Sequence, residues 1–428
     1  MTSQASGSTR ERIAVVGSGV SGLTAAHVLS RAGEVILFES DDRLGGHAHT
    51  HDVVDSSGRT IAVDSGFIVH NGSTYPTLLK LFAELGVATQ PSEMSMSVHC
   101  DGCGLEYAGA RGLRGLFASP HAADPRYLRM LAEVKKFHRQ AHRVLAADHL
   151  DTLTLGGFLE LGGYSSYFVR HFMVPFVSAV WSAGPATSLQ YPAKYLFRFF
   201  AHHGYLSVGG SPAWRTVTGG SRIYVEALSK QLNATRLNTP VRAVTRHADG
   251  VGITDGDGAT HEFDRVVIAT HANDALALLH DPSAAERQVL GAFSYSHNET
   301  VLHRDTSVLP RHSGARASWN YRMPSCAAGE HGELTALSYD MNRLQSLDAA
   351  DTYVVTLNQT AGVDAAKVIA TMDYTHPIYT MDSVAAQQRL PELNGGRTAF
   401  AGAYHGWGFH EDGCASGARA AESLGARW

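Results

Sequence analysis

Residues 13–39 read IAVVGSGVSGLTAAHVLSRAGEVILFE. A β-branched run leads through a Gly-x-Gly-x-x-Gly turn into a helical pattern, and a second apolar strand follows. This order predicts a βαβ unit whose turn holds the phosphates of a dinucleotide. Gly17 allows the tight turn, Gly19 lets backbone N–H groups approach a pyrophosphate, and Gly22 lets the helix pack on the strand.

Glu39 ends the second strand of this unit, and it follows Gly19 by 39 − 19 = 20 positions. An acidic residue at this place accepts hydrogen bonds from the adenosine ribose of a bound dinucleotide. The pyrophosphate would then lie at the positive end of the helix. The unit therefore predicts a site for an adenine dinucleotide.

The composition argues against several classes of protein. The 428 residues include 35 Lys+Arg and 40 Asp+Glu, for a formal net charge of −5, whereas a nucleic-acid binder needs a clustered cationic surface. Residues 1–12 are polar and lack the apolar stretch of a secretory signal, so we expect a cytoplasmic protein. The most apolar run, residues 172–183, contains Pro175 and is too short to span a membrane. It predicts a buried helix or the wall of a pocket.

The four cysteines, Cys100, Cys103, Cys326 and Cys414, are too few for a disulfide framework in a chain of this length. Cys100 and Cys103 enclose an Asp-Gly pair, which is typical of a hairpin turn. No second Cys/His pair follows at the spacing of zinc ligands. A turn with two incidental thiols is the favoured interpretation, and a redox or metal role is the alternative.

Histidines are frequent, and two groups of them raise the question of a metal site. His47, His49 and His51 alternate along the chain, and His202 is followed by His203. Alternation predicts that the first three lie on one face of a strand. No acidic or cysteine partner follows at a local ligand spacing, so we predict no metal site.

Two further stretches, around residues 238–270 and 397–424, have the strand and turn patterns of a dinucleotide fold. A helical, aromatic-rich block and a mixed block separate these pieces along the chain. We therefore predict two interleaved domains, with residues 1–85, 205–290 and 371–428 in the dinucleotide domain and residues 86–204 and 291–370 in a substrate domain.

The stretch ESDDRLGGH at residues 39–47 resembles the extended fingerprint of the amine oxidase and phytoene desaturase superfamily of flavoproteins. The resemblance implies that Arg43, Gly45 and Gly46 lie beside the ribose and pyrophosphate of FAD. Those families usually have a second arginine after the glycine pair, where this chain has His47.

Other landmarks of the superfamily follow in the expected order. VTGGS at residues 217–221 resembles the segment before the adenine-side strand, and AGAYHGWGFHEDG at residues 401–413 resembles the segment that reaches the isoalloxazine ring. VDSGFIVHN at residues 63–71 and the GFHEDG stretch resemble a group described as NAD/FAD-binding oxidoreductases. By resemblance, the FAD contacts also include Gly66, Val241, Gly402, Phe409, His410, Glu411 and Gly413.

The resemblance implies an α/β fold, with a Rossmann-like FAD domain of the glutathione-reductase type and an interleaved α+β substrate domain. It also implies an FAD-dependent oxidoreductase that passes a hydride from a C–H bond of an apolar or amine-type small molecule to flavin N5. No second dinucleotide motif occurs, so we expect no nicotinamide site. No lysine lies in a motif that would let it hold a water near N5, as several amine oxidases do.

Two alternatives remain open. One is a redox-neutral double-bond isomerase or a desaturase that acts on a fatty-acyl or polyene chain, and the other is a non-catalytic flavin-binding protein. The aromatic block and the low charge favour a lipid-like substrate. The rings of residues 191–200, with Trp181 and Trp214, could be plain core or could line a substrate tunnel.

The candidate catalytic residues are Tyr404, His410 and Glu411, all in the stretch that the resemblance brings to the flavin. An imidazole with an ordinary pKa near 6.5 could move a proton to or from the substrate. A structural hydrogen-bonding role for His410 and Glu411 is the alternative.

Overall fold

The computed structural model describes residues 10–147, 150–207, 209, 211–327 and 336–428. Residues 1–9, which contributed to the expectation of a cytoplasmic protein, lie outside these ranges. The strands in chain order are β1 (Arg12–Val16), β2 (Glu34–Phe38), β3 (Thr50–Val54), β4 (Thr60–Asp64), β5 (Val69–Asn71), β6 (Thr89–Pro91), β7 (Met96–Cys100), β8 (Glu106–Ala108), β9 (Trp214–Val217), β10 (Ala234–Arg236), β11 (Val241–His247), β12 (Gly250–Asp255), β13 (Thr260–Phe263), β14 (Arg265–Ile268), β15 (Ser294–His303), β16 (Trp319–Met323), β17 (Leu337–Asp340), β18 (Val354–Leu357), β19 (Val368–Ile378) and β20 (Thr398–Phe400).

The helices are α1 (Val20–Leu29), α2 (Pro76–Leu85), α3 (Gly112–Leu116), α4 (Pro125–Leu145), α5 (Leu155–Leu161), α6 (Ser166–Phe168), α7 (Val174–Trp181), α8 (Pro185–Gln190), α9 (Ala193–His202), α10 (Arg222–Ser229), α11 (Ala272–Leu278), α12 (Ala284–Leu290), α13 (Met341–Leu344), α14 (Met381–Gln387) and α15 (His410–Ser423). A π-helical turn, Val169–Met173, lies between α6 and α7. No helix within the described ranges is both long and apolar enough to cross a membrane.

A five-stranded parallel sheet has the order β10-β2-β1-β14-β20. The predicted βαβ unit is confirmed, since β1 and β2 pair in parallel with Val15 opposite Leu37. Alternate residues of β1 pack into two different hydrophobic cores, one on each face of the parallel sheet. Ile13 and Val15 pack with α1 and α15, whereas Ala14 and Val16 pack with the antiparallel strands β11–β13 and with α11. The parallel sheet is therefore covered on both faces, as parallel sheets generally are.

Helices α1 and α15 cross closely because α15 carries glycine at the contact, where a Cβ atom on Gly417 would overlap the carbonyl oxygen of Ser21. Gly22 of α1 instead lets the helix pack against the preceding turn, since a Cβ atom there would overlap the carbonyl oxygen of Gly17. Helix α15 begins at His410, where the Asp412 carboxylate accepts a hydrogen bond from the Phe409 N–H (2.9 Å) and so caps the helix.

A seven-stranded mixed sheet has the order β19-β15-β18-β17-β16-β7-β8. Helices α4 to α9 form an aromatic core against one end of it. Strand β19 runs across the predicted boundary between residues 370 and 371, so its membership of this sheet favours a boundary near residue 380. The domain division itself stays a prediction.

The expected turn at Asp101-Gly102 is confirmed, because it joins the paired strands β7 and β8. The apolar run at residues 172–183 forms α7, which is largely buried. Pro175 lies in the first turn of α7, directly after the π-helical turn, so its missing backbone N–H falls where the helical hydrogen-bond pattern changes.

Candidate active site

A cavity of about 460 Å³ runs from the carboxyl ends of β1, β2, β14 and β20 to the face of the seven-stranded sheet. Ligands of open parallel sheets bind at this kind of edge. Of the predicted cofactor and catalytic residues, those that line the cavity are Gly17, Gly19, Glu39, Gly46, Gly66, Gly402, Tyr404, Phe409 and His410. Those outside its lining are Gly22, Arg43, Gly45, Val241, Glu411 and Gly413.

The turn between β1 and α1 forms one end of the cavity. Gly17 has φ +96°, which favours glycine, and a Cβ atom there would lie 2.8 Å from the carbonyl oxygen of Ala269. A Cβ atom on Gly19 would meet nothing within 4 Å. The free N–H groups at the start of α1 face this open space, which suits an anionic pyrophosphate.

Glu39 lies at the same end, and its carboxylate is nearly buried. It accepts hydrogen bonds from the Ser18 N–H (2.9 Å), the Ser18 hydroxyl and the Asp41 N–H (3.0 Å). Glu39 therefore fixes the turn that contains Ser18 and also presents an acceptor at the cavity.

The glycine pair of the extended fingerprint packs against this turn. A Cβ atom on Gly46 (φ +55°) would lie 3.2 Å from the Cα of Gly19, and Gly45 has φ +110°. Arg43 does not reach the cavity. Its guanidinium donates to the carbonyl oxygens of Gly46 (2.8 Å) and Ala48 (3.4 Å), and so it holds the loop in place.

Gly66 and Phe67 connect this loop to α15. A Cβ atom on Gly66 would overlap the carbonyl oxygen of His47, which accepts a hydrogen bond from the Phe67 N–H (2.7 Å). The Phe67 ring stacks on the imidazole of His410, with centroids 3.6 Å apart and an interplanar angle of 7°. The start of α15 is thereby fixed at the cavity.

His410 is half-buried between Phe67 and Tyr224, and the Tyr224 hydroxyl lies 2.9 Å from its Nε2 in a hydrogen bond. Burial lowers the pKa of His410 to about 3. This pKa lies below the ordinary value on which the proton-transfer role was based. The stack on Phe67 and the hydrogen bond to Tyr224 suit a positioning role, and the catalytic role of His410 stays a prediction.

Glu411 points away from the cavity. Its carboxylate accepts hydrogen bonds from the N–H groups of Thr77 and Leu78, both at 2.9 Å, and so caps α2. Of the two roles that the sequence left open for Glu411, the contacts favour the structural one. Gly413 lets α15 approach α1, since a Cβ atom there would lie 2.7 Å from Val20.

Tyr404 and Gly402 line the cavity on the β20 side. The Tyr404 ring packs on Phe293, with centroids 5.2 Å apart, and its hydroxyl is buried without a partner in the described part of the chain. The Gly402 N–H donates to the Ser416 hydroxyl (2.9 Å). Val241 begins β11 opposite Asp255 and does not reach the cavity.

The alternating histidines do not lie on one face of a strand as predicted, because β3 begins only at Thr50. His47 instead packs against Tyr374 and His376, with centroids 5.0 and 5.4 Å away. His49 and His51 do lie together, with their ring centroids 4.0 Å apart, so the predicted grouping holds for these two and fails for His47.

Sequence analysis missed a buried polar group around Tyr374, which lies on β19 and lines the cavity. The Tyr374 hydroxyl is 2.7 Å from the Ser65 hydroxyl and 3.1 Å from His49 Nδ1. Burial lowers the pKa of His376 to about 4 and holds that of His47 well below its ordinary value. The only sequence signal was the run of histidines, since Tyr374 belongs to no motif.

Aromatic rings form the other end of the cavity. Trp181, Phe199, Trp214, Trp407 and Phe409 line it. Phe199 stacks on Phe409 with centroids 5.0 Å apart, and the Trp181 indole donates to the Trp407 carbonyl oxygen (3.0 Å). Tyr191, Phe197 and Phe200 are buried in the core and do not line the cavity, whereas Trp181, Phe199 and Trp214 do. The role of the lining rings in a substrate tunnel stays a prediction.

The lining carries few charged side chains. Among the described residues that line the cavity there is no lysine or arginine, and the acidic side chains are Glu39 and Asp274. Of the five histidines in the lining, burial lowers the pKa values of His47, His203, His376 and His410. The described lining is therefore rich in aromatic rings and contains no lysine or arginine.

These features fit an adenine dinucleotide that carries an aromatic ring system. The glycine turn offers backbone N–H groups to phosphates, and Glu39 offers an acceptor to a ribose. Five side chains that line the cavity carry buried polar atoms without partners among the described residues: His47 Nε2, Trp214 Nε1, Trp319 Nε1, Tyr404 Oη and Trp407 Nε1.

The sequence of the chain is similar to those of known flavoproteins. A family profile described as flavin containing amine oxidoreductase matches residues 20–303. The Mycobacterium tuberculosis protein named flavin-containing monoamine oxidase AofH is 30% identical over 287 residues, which cover 63% of this chain and 59% of that protein. The chain thus spans about three fifths of the length of this curated relative.

Two solved structures share the fold. Cyclohexylamine oxidase from Brevibacterium oxydans matches with a TM-score of 0.69 and 18% identity, over 97% of this chain and 98% of that one. The CLA-producing fatty acid isomerase from P. acnes matches with a TM-score of 0.67 and 18% identity, over 95% and 97% of the two chains. At these identities the likeness concerns the fold alone.

Proposed function

Because the chain belongs to the flavin-containing amine oxidoreductase family, we propose that it oxidises a small molecule with a hydrophobic body at a carbon that bears a neutral amine. FAD is the cofactor of this family. When bound, FAD supplies the electron acceptor for the hydride that leaves a substrate C–H bond. We also propose that the dinucleotide domain is of the glutathione-reductase type, which its parallel sheet between helices and a three-stranded antiparallel sheet supports.

In this proposal different residues along the cavity bind different parts of the cofactor. Gly17, Gly19 and the start of α1 hold the pyrophosphate, and Glu39 holds the ribose. Gly46, Gly66 and Gly402 let the backbone approach the rest of the cofactor. The start of α15, held by the stack of Phe67 on His410, carries about half a positive charge and stabilises negative charge placed beside it.

The observation that carries the substrate class is the aromatic, cation-free lining. A fatty acid would bring a carboxylate into the cavity, where no described lining residue is a lysine or arginine to pair with it, and burying an unpaired charge is costly. An amine can lose its proton and enter as a neutral base. Desolvation by Trp181, Phe199 and Trp407 favours that neutral form.

The isomerase or desaturase of an acyl chain is the second candidate. It is supported by the aromatic wall, which suits an apolar chain, and by the absence of a lysine from the described lining residues. Such a substrate fits only if its carboxylate is esterified or stays outside the cavity. A flavin-binding protein without catalysis is the third possibility.

A panel of three compounds separates these functions. The purified flavoprotein is incubated in air with a hydrophobic monoamine, with an aliphatic diamine that carries two charges, and with a free polyunsaturated fatty acid. We expect hydrogen peroxide and a carbonyl product from the monoamine alone. A product of unchanged mass from the fatty acid would favour the isomerase. No turnover of any of the three compounds would favour the non-catalytic flavin-binding protein.

The cytoplasmic location expected from the sequence stays a prediction. The four cysteines, which are all unpaired by disulfides, are consistent with a reducing compartment.

A further inference from the structure

Four potential metal ligands meet in the substrate domain, far from the glycine turn. We call them the cysteine cluster: Cys100, Cys103, His171 and Cys326. Their ligand atoms all lie within 4.8 Å of one another. Cys100 Sγ lies 3.7 Å from Cys326 Sγ, and Cys103 Sγ lies 3.7 Å from His171 Nε2.

We propose that the cysteine cluster binds one zinc ion as a structural site. Zinc bonds of about 2.3 Å to sulfur and about 2.0–2.1 Å to nitrogen place tetrahedral ligand atoms roughly 3.5–3.8 Å apart. Both measured separations of 3.7 Å agree with this spacing. A disulfide would need about 2.0 Å between sulfur atoms. Three thiolates and an imidazole are a typical zinc ligand set.

The turn between β7 and β8 supplies two of the ligands, and its backbone is fixed independently of any ion. The Cys100 N–H donates to the Leu105 carbonyl oxygen (2.9 Å), and the Asp101 N–H donates to the Met323 carbonyl oxygen (2.8 Å). Gly102 lets the loop after β16 come close, since a Cβ atom there would lie 2.8 Å from the Cys326 N. The third thiol is thereby brought to the first two.

The fourth ligand, His171, lies in the π-helical turn between α6 and α7. Such turns often occur at functional sites. His171 Nδ1 lies 3.3 Å from the Tyr167 carbonyl oxygen, and the Tyr167 ring stacks on the imidazole at 4.1 Å. The Tyr107 hydroxyl donates to the His171 carbonyl oxygen (2.7 Å). When Nδ1–H donates a hydrogen bond to a carbonyl oxygen, Nε2 is free to bind a metal ion. Zinc-bound histidines usually donate a hydrogen bond of this kind from the nitrogen that does not bind the metal.

Four protein ligands leave no open coordination position, so the ion would have a structural role and no catalytic one. None of the four residues lines the cavity. The π-helical turn leads directly into α7, however, and the end of α7 around Trp181 forms part of the aromatic wall. Zinc would join the β7–β8 turn, the loop after β16 and the base of α7, and so fix the substrate wall.

Sequence analysis treated Cys100 and Cys103 as incidental thiols because their partners are distant in the chain. His171 follows Cys103 by 171 − 103 = 68 residues, and Cys326 follows His171 by 326 − 171 = 155 residues. No local ligand spacing can indicate such a site. The zinc proposal develops the metal role that the sequence left open for Cys100 and Cys103, and it differs from the favoured expectation of no metal site, which stays a prediction.

The test measures zinc and flavin per chain by elemental analysis and absorbance, in holoprotein produced with zinc in the medium and purified under reducing conditions. We expect close to one zinc per chain in the wild type and at least a tenfold loss in Cys103→Ser and in Cys326→Ser. The control is Cys414→Ser, which removes a buried thiol outside the cluster and should keep the zinc. An equal zinc content in Cys103→Ser and wild type would overturn the proposal.

A second measurement does not depend on the folding of a variant. Wild-type protein is stripped with a chelator and reloaded with cobalt(II), whose tetrahedral thiolate complexes absorb at longer wavelengths than flavin does. We expect these bands to appear at one equivalent of cobalt and to disappear when zinc is added. Failure to bind either ion, together with two missing free thiols, would show a disulfide in place of a metal site.

Discussion

The two ends of the cavity are built from different chemistry. At the glycine turn the contacts come from backbone N–H groups and from positions where a Cβ atom does not fit, such as Gly17. At the other end they come from large side chains, such as Trp181, Phe199 and Phe409. Substitutions of the rings at the second end can change which substrate binds, because they do not move the backbone at the first end, which binds the dinucleotide.

The largest effect should follow from Gly22→Ala. The new methyl group would overlap the Gly17 carbonyl oxygen, so the turn or α1 must move. We expect a loss of more than about 3 kcal/mol in the free energy of unfolding and very weak FAD binding. The control is Gly19→Ala, whose methyl group meets nothing within 4 Å. It should unfold like the wild type and still bind FAD less tightly. Equal stability of the two variants would show that the close contact at Gly22 is not required.

At the aromatic end, Phe199→Ala should enlarge the cavity. We expect it to raise KM for a bulky hydrophobic substrate by about tenfold or more, which corresponds to roughly 1.4 kcal/mol. Phe197→Ala is the matched control, because Phe197 is buried in the same core without lining the cavity.

Phe199→Ala and Phe197→Ala should both lose roughly 3–5 kcal/mol in the free energy of unfolding. Phe199→Ala alone should raise KM. If both raise KM equally, the aromatic wall acts through packing alone.

The pH dependence of the free energy of unfolding tests the role of Asp412 at the start of α15. Burial raises the pKa of its carboxyl group to about 7, so the folded state prefers the protonated form. The Asp412 carboxyl group therefore stabilises the folded state most at pH values below its pKa in the unfolded chain, which is near 4. This stabilisation is lost as the pH rises to about 7.

Asp412→Asn cannot ionise and should gain stability relative to the wild type over this range, by roughly 1–4 kcal/mol between pH 4 and pH 7.5. The matched control is Asp382→Asn, an exposed aspartate in the first turn of α14, whose difference from the wild type should hardly change with pH. Denaturant unfolding at several pH values measures both. A pH-independent difference for Asp412→Asn would contradict the raised pKa.

Glu39→Ala should weaken FAD binding by roughly 1–3 kcal/mol, the usual loss for hydrogen bonds to a charged group. Part of the loss would come from the Ser18 turn, which Glu39 holds through the Ser18 N–H. Glu39→Gln, which keeps an acceptor, should recover part of the affinity. FAD affinity measured by calorimetry that is unchanged in Glu39→Ala would exclude Glu39 as the ribose ligand.

The smallest effect should come from His410→Ala. Because burial lowers the pKa of His410 to about 3, we expect the variant to keep the pH profile of flavin reduction and to slow flavin reduction by less than about tenfold. Tyr224→Phe, which removes the hydrogen-bond partner of His410, should have a similar small effect. A loss of about 10²- to 10⁴-fold with a flattened pH profile would instead indicate acid–base catalysis by His410.

The dinucleotide end could be predicted from the sequence because its signals are local. One stretch of 27 residues, 13–39, contains both strands, the turn and the ribose acceptor. The polar group around Tyr374 and the cysteine cluster could not be predicted, since Ser65 and Tyr374, like Cys103 and Cys326, meet only through the sheets. The pKa of His410 was also out of reach, because it depends on burial by Phe67 and Tyr224.

The central claim is that the aromatic end of the cavity presents a neutral hydrophobic amine to the flavin. Anaerobic mixing of the flavoprotein with such an amine in a stopped-flow instrument tests it most directly. The account predicts complete loss of the oxidised flavin absorbance in one turnover, with a rate that rises with pH as the free amine loses its proton. Flavin that stays oxidised with hydrophobic amines but is reduced by an aliphatic diamine that carries two charges would contradict it.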